Sequence, residues 1–320
     1  MKKIGIIIFL FISIKGFNQT LNLNENYFER DLRIKQLKGE LNSRFSFTIK
    51  PIHIGKNGIK ISDSVFNINS YSPTIVSLLK NKINLKILPV NYNINFSSHH
   101  PYNRNNGSMI PARGYQQLIS AGLYLEIGPL SIQFKPEHVY AQNKDFDGFW
   151  EGHYDVIWAK RYFLWNSIDM PEKFGDKTFN KSYLGQSNIK LNFKGLSFGI
   201  SSENLWWGPS IRNSIMMSNH AKGFNHISFN TTRPISTKIG NFEWQLVSGR
   251  LESSGFTPPG TERTYNGSTL YVPKINQNVK TDDWRYFQGL VFTYSPKWIN
   301  GLSIGFIKWA MMYSALVEGK

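Results

Sequence analysis

Three stretches carry residue types that could do chemistry. The first, ENLWWGPSIRNSIMMSNHA (Glu203 to Ala221), sets two adjacent tryptophans before a Gly-Pro break and follows them with amides and a cation. Trp206 and Trp207 offer flat apolar faces, Asn204, Asn213 and Asn219 offer planar amides, and Arg212 can pair with a carboxylate through two parallel hydrogen bonds. That combination suits a polyhydroxylated, acidic ligand such as an anionic sugar. The competing reading places the tryptophans in loop packing or in an interfacial aromatic belt.

The second stretch, HHPYNRNNGSMIPARGY (99–115), sets Arg104 and Arg113 on either side of an Asn-rich loop and fits the same kind of ligand. Its His99 and His100 would diverge on a strand with no carboxylate nearby, so no metal site is expected. The third, FDGFWEGHYDVIWAKRYF (146–163), is dense in aromatics and contains Asp147, Glu151 and Asp155. Paired carboxylates raise the question of glycoside hydrolysis, which depends on their separation. On a strand His153 and Asp155 would share a face, but no serine in a sharp elbow accompanies them. Phosphate-loop, zinc and dinucleotide fingerprints are missing from the sequence, so neither a cofactor nor catalysis is expected.

The elements that position these residues can be read from composition and periodicity. Lys2 and Lys3 precede an apolar run from Ile4 to Ile14, which is too short for a helical span and fits a secretory signal over residues 1–18. The chain has no cysteine, and no later segment has the ~18 uninterrupted apolar residues of a membrane helix. With 9 Trp, 15 Tyr and 23 Phe the aromatic share reaches 15%. An exported, aromatic-rich chain without helical spans fits a transmembrane β-barrel. The formal charge of +16 falls to +13 without Lys2, Lys3 and Lys15. In an exported chain this favours anionic polysaccharide or membrane phosphates over nucleic acid.

Residues 24–41 read as a helix capped by Asn24 or Asn26, and Ser72 to Lys82 reads as a second short helix, giving an N-terminal periplasmic helical region over 19–82. From residue 83 the period changes to two. In SNIKLNFKGLSFGIS, Ile189, Leu191 and Phe193 alternate with polar residues. The pattern resumes after Lys194-Gly195 with Leu196, Phe198 and Ile200. Related turns fall at Gly128-Pro129, Gly240-Asn241 and Asn300-Gly301, and roughly nine strands can be counted. Short turns face the periplasm in outer-membrane barrels, so 141–182, 204–224 and 253–283 become external connections. Parity from the strand before it places Glu203 inward, to hold a lumenal cation.

Six further blocks, from NYFERDLRIKQLKGEL through NFSSHHPYNRNNGSMIPARGYQQLISAGLY to VSGRLESSGF, follow the same order as in the capsule assembly Wzi family, which this chain resembles from about residue 26 onward, particularly in its Bacteroidetes branch. The resemblance implies an all-β fold: an antiparallel outer-membrane barrel of about eighteen strands with a helical bundle at its periplasmic mouth. It further implies a non-enzymatic lectin that attaches capsular or exopolysaccharide to the cell surface. Ser210 and His220 stand where the family pattern leads one to expect Gly and Asn. About 300 mature residues would supply only part of such a barrel, so the chain reads as a member shortened at its C-terminus. A monomer in contact with outer-membrane lipids is expected. A porin-like transport barrel is the alternative function, and a membrane-bound glycan hydrolase a third.

Overall fold

In the computed structural model the described residues are 19–21, 23, 26–41, 44–55, 71–165, 171–256, 262–269 and 284–314. The expected signal segment, 1–18, lies outside them. Strands dominate, and every ladder between named strands is antiparallel.

The main sheet has 13 strands. Its path runs from Thr74–Leu78 (β4) and Ile83–Ser97 (β5) through Gly114–Ile127 (β6) and Leu130–Phe134 (β7). It continues through Asn188–Phe193 (β10), Leu196–Ser201 (β11), His226–Thr231 (β13), Gly240–Leu251 (β15), Arg285–Pro296 (β18) and Ile304–Tyr313 (β19). Glu137–Ala141 (β8) and Phe179–Tyr183 (β9) extend the β7 and β10 rows upward, and Ile235–Ser236 (β14) pairs with β15. Strands β4 and β19 form the two edges of the path.

The alternation read from the sequence fixes the two faces. Ile189, Leu191, Phe193, Phe198 and Ile200 are exposed, whereas Asn188, Lys190, Asn192, Ser197 and Ser201 are buried. Apolar side chains outside and polar ones inside invert a water-soluble sheet and match a barrel wall facing lipid. Aromatic rings mark both rims of the outer face. Phe242 and Tyr294 stack at 4.9 Å near the short turns, and Tyr92, Tyr115 and Tyr286 lie toward the long connections. Lys194 and Gly195 both take positive φ (48° and 95°), as a two-residue turn matched to strand twist requires.

One expectation fails here. The Ser72–Lys82 stretch is not a helix, because Thr74–Leu78 joins the main sheet through Val76↔Leu85 and Leu78↔Ile83. Its apolar spacing fits either period, and the β-branched run Thr74-Ile75-Val76 favours the strand.

The other predicted helix is present as Asn26–Leu37 (α1), within a segment that lies against the polar face of the sheet. This segment also contains the two-residue strands Gln19–Thr20 (β1), Ile49–Lys50 (β2) and His53–Ile54 (β3). Thr20 reaches Gln133 on β7, His53 reaches Asn230 on β13, Ser46 bonds Glu243 on β15, and Thr293 on β18 donates to Ser46. A single segment can touch strands this far apart in the sheet only if the sheet wraps around it. The polar interior is therefore filled, and its apolar heart is Leu21, Leu32, Phe47, Ile52 and Ile54.

Candidate functional site

After β11 the chain turns inward instead of spreading over the rim. Trp206 and Trp207 form a short strand (β12) that pairs with β2, Trp206↔Lys50 and Trp207↔Ile49, and the Gly208 N–H donates to Thr48 O at 2.8 Å. Gly208 sits at φ 134°, where a Cβ would lie 2.8 Å from Ile215 N, so glycine is needed for the chain to double back. Trp207 N–H donates to Met216 O at 2.9 Å, and Ile215 N–H to Trp207 O at 2.8 Å.

This geometry encloses both indoles. Trp207 is 0% exposed; its Nε1 donates to Gln245 Oε1 at 2.7 Å and its ring lies 6.3 Å from that of Phe287. Trp206 is 4% exposed, donates to Ser210 O at 3.0 Å, and carries Lys50 Nζ 5.2 Å above its ring. The rings hold the N-terminal segment and have no free face for a ligand. Asn204 is likewise enclosed: its Oδ1 accepts from Gln186 at 2.9 Å and its Nδ2 donates to Ala221 O at 2.6 Å. Strand parity could not show this, because every residue from Ser202 to Gly208 is buried and the alternation is lost.

The Gly-Pro-Ser turn receives cations from the N-terminal segment. Arg33 donates to Pro209 O, Lys50 donates to Ser210 O at 3.0 Å, and Glu29 pairs with both cations, at 2.6 Å to Arg33 and 2.8 Å to Lys50. Burial pushes the Lys50 ammonium below its ordinary value, and the Glu29 carboxylate opposes that shift.

Deeper in the interior, Glu203 points inward as parity requires and meets a lumenal cation, Lys190, at 2.7 Å. The Thr20 hydroxyl donates to the same carboxylate, as does Ser201 Oγ at 2.9 Å. Burial alone would raise the Glu203 carboxyl, but Lys190 and the Thr20 hydrogen bond hold it below its usual range. His53 beside this pair is pushed down to about 3, by burial and then by Lys190.

Four of the remaining predicted residues, Arg104, Arg212, Asn213 and Asn219, come together at the far end, where the long connections lie. The Arg104 guanidinium donates to Asn213 Oδ1, Asn105 Nδ2 donates to Arg212 O at 2.9 Å, and Asn219 Nδ2 donates to Asn105 O at 3.1 Å. Gly107 N–H closes the junction on Asn219 O at 2.8 Å. Two loops about a hundred residues apart, 98–113 and 204–224, thus form one surface with Arg104, Arg212 and Asn213 exposed and Asn219 buried beneath. His220 lies in the same cluster, its basicity reduced by partial burial and then by Arg104. Arg113 stands apart, bonded to Ser98 O at 3.1 Å and Asp145 O at 2.7 Å.

His99 and His100 do not diverge: the chain bends there and the rings meet edge to face at 4.5 Å. Among the described residues no group of three or more His, Cys, Asp or Glu side chains is placed to hold a metal. None of the carboxylates of the third stretch is on a strand: Asp147 lies in irregular chain, Glu151 on a turn and Asp155 on a helix. Asp155 opens the helix Asp155–Trp165 (α2), so His153 and Asp155 share no strand face.

An antiparallel sheet that is apolar outside and polar inside, with its interior filled and its loops gathered at one end, defines an all-β protein of the outer-membrane barrel class. The family model of the capsule assembly protein Wzi matches residues 100–312, and the chain belongs to that family. Its part is therefore in capsule assembly, in a family of outer-membrane proteins. No curated protein and no solved structure matches the chain.

Proposed function

We propose that the chain is a lectin-like outer-membrane protein that holds capsular or exopolysaccharide on the cell surface. The observation that carries this reading is the Arg104–Arg212–Asn213 junction, held from beneath by buried Asn219, which sets two cations and exposed amide groups on the loop end of a barrel-type sheet. Carboxylates of an acidic polymer suit the guanidinium groups, and hydroxyls suit the amides. Each contact is weak, and a repeating polymer multiplies them, which favours many-site attachment over one tight site. Arg113 adds a third cation at the end of the 98–113 loop. Trp206, Trp207 and Asn204 serve this site indirectly, by fixing the root of the loop that carries Arg212.

The N-terminal segment across the polar face supports this reading over a porin-like one, since a transport barrel needs an aqueous path. The chain is taken to act as a monomer bathed by outer-membrane lipids.

The test compares cell-bound with released polysaccharide in cells carrying the wild type, a gene deletion, or the Arg104→Ala/Arg212→Ala double variant. The deletion is expected to shed polymer that is still made in normal amount, and the double variant to shed a large share of it. Unchanged partition in the deletion strain removes the lectin reading.

A further inference from the structure

Within the long connection between β8 and β9, Phe149, Trp158 and Tyr162 build a small aromatic core. Trp158 and Tyr162 of α2 are buried and stacked at 5.5 Å, and Phe149 packs edge-on against Trp158 at 4.9 Å. Two guanidinium groups close the stack: Arg161 lies 4.0 Å from the Phe149 ring and pairs with Glu172, and Arg263 lies 4.5 Å from the Trp158 ring beside Asp155. Glu172 also accepts from the Phe149 N–H at 2.6 Å, and Arg263 donates to Glu151 O at 2.7 Å. Two cations, Arg161 and Arg263, are thus turned onto rings and carboxylates, while Lys160 on α2 is exposed.

Its outer surface has the opposite character. Trp150 is 68% exposed and Tyr154 81%, and Val156 and Ile157 beside them are also exposed. Trp150 is held in place, with Gly152 against its ring and His153 edge-on at 5.3 Å. The charged neighbours of the two rings in the chain, Asp147, Glu151 and Asp155, are all exposed carboxylates. A rigid core that presents two aromatic faces to water among negative charges fits a ligand with a flat C–H surface and no negative charge of its own.

We propose that Trp150 and Tyr154 form a second carbohydrate subsite that takes uncharged hexose units. This rests on the polysaccharide reading above and adds to it: the polymer carries uncharged units for the aromatic subsite and acidic units for the arginine junction. The carboxylates beside the rings exclude the acidic units, so the two subsites sort the units of one chain by charge.

Salt separates the subsites, because screening weakens contacts to Arg104 and Arg212 and leaves ring stacking intact. Purified wild type in detergent is titrated with capsular polysaccharide from the parent cells at about 0.05 M and about 1 M salt. The comparison variants are Trp150→Ala/Tyr154→Ala and Arg104→Ala/Arg212→Ala, all with heat-resistant gel migration as the folding control. The expected result is a salt-resistant remainder of binding in the wild type that the arginine variant keeps and the aromatic variant loses by roughly tenfold. If the aromatic variant matches the wild type at high salt, or the wild type has no salt-resistant binding, the aromatic subsite is wrong while the lectin reading stands. Absence of wild-type binding at both salt levels overturns both.

Discussion

Replacing Trp207 by alanine tests whether the paired tryptophans are a clamp or a ligand platform. The ring is fully enclosed between Gln245, Phe287 and Gly289, where a Cβ at residue 289 would lie 2.6 Å from the indole. Removing so large a buried side chain costs about 3–5 kcal/mol. The orphaned Gln245 carbonyl adds about 1–3 kcal/mol if water cannot reach it. Trp207→Phe narrows the comparison, since it keeps a six-membered ring in the pocket while removing the N–H, at about 1–3 kcal/mol, and the rest of the indole. The assay is urea unfolding of the refolded protein in detergent micelles, followed by the heat-resistant band on a gel, with protease cleavage of the N-terminal segment as a second readout. The alanine variant is expected to lose its resistant band at lower urea and to expose residues 19–55 to protease. A Trp207→Ala protein within about 0.5 kcal/mol of wild type that has nevertheless lost its polysaccharide would refute the clamp and return the ring to the ligand.

Three further outcomes follow from the same interior. Lys190→Met leaves the Glu203 carboxylate buried without its cation and is expected to cost about 3–5 kcal/mol, read by the same urea series, with Lys190→Met/Glu203→Leu recovering much of it. Because the folded Glu203 carboxyl lies below its ordinary value of 4.5, the pair's stabilisation is complete above that pH and is lost as pH falls through the lower folded value. Protease release of the N-terminal segment should rise over that acidic window in the wild type and stay flat in Glu203→Gln. Gly289→Val drives a side chain into the Trp207 ring and is expected to cost about 1–3 kcal/mol, whereas the same change at exposed Gly305, where a Cβ would meet only Thr293 Cγ2 at 3.7 Å, affects packing far less.

The wall of the barrel was legible because its physics is periodic. Ile189 to Ile200 alternate strictly, and Lys194-Gly195 is a turn that only residues tolerant of positive φ can make. Glu203 was legible for the same reason, since parity carries a short way past the strand. The burial of Trp206 and Trp207 was not, because β12 and its partner β2 are two residues each and leave no period to detect. Residues 72–82 misled because Ile75, Leu78 and Leu79 repeat at a helical interval that the sheet overrides. The junction of Arg104 with Asn213 joins residues 109 apart, a pairing that sequence spacing cannot reveal. The small core around Trp158 was visible as an aromatic excess, but the pairing of Arg161 with Glu172 follows no periodic spacing, and Arg263 reaches Trp158 from a different loop.

The way the N-terminal segment is held also sets the order in which the molecule can be built. Its hydrogen bonds reach across 183 residues to Glu203, 197 to Glu243 and 247 to Thr293. Contacts of such sequence separation form only after a large loss of chain entropy, and they slow folding accordingly. The contact to Thr293 closes only once β18 has entered the sheet. Until these strands are in place Leu32, Phe47 and Ile54 lack the polar wall that encloses them in the folded chain.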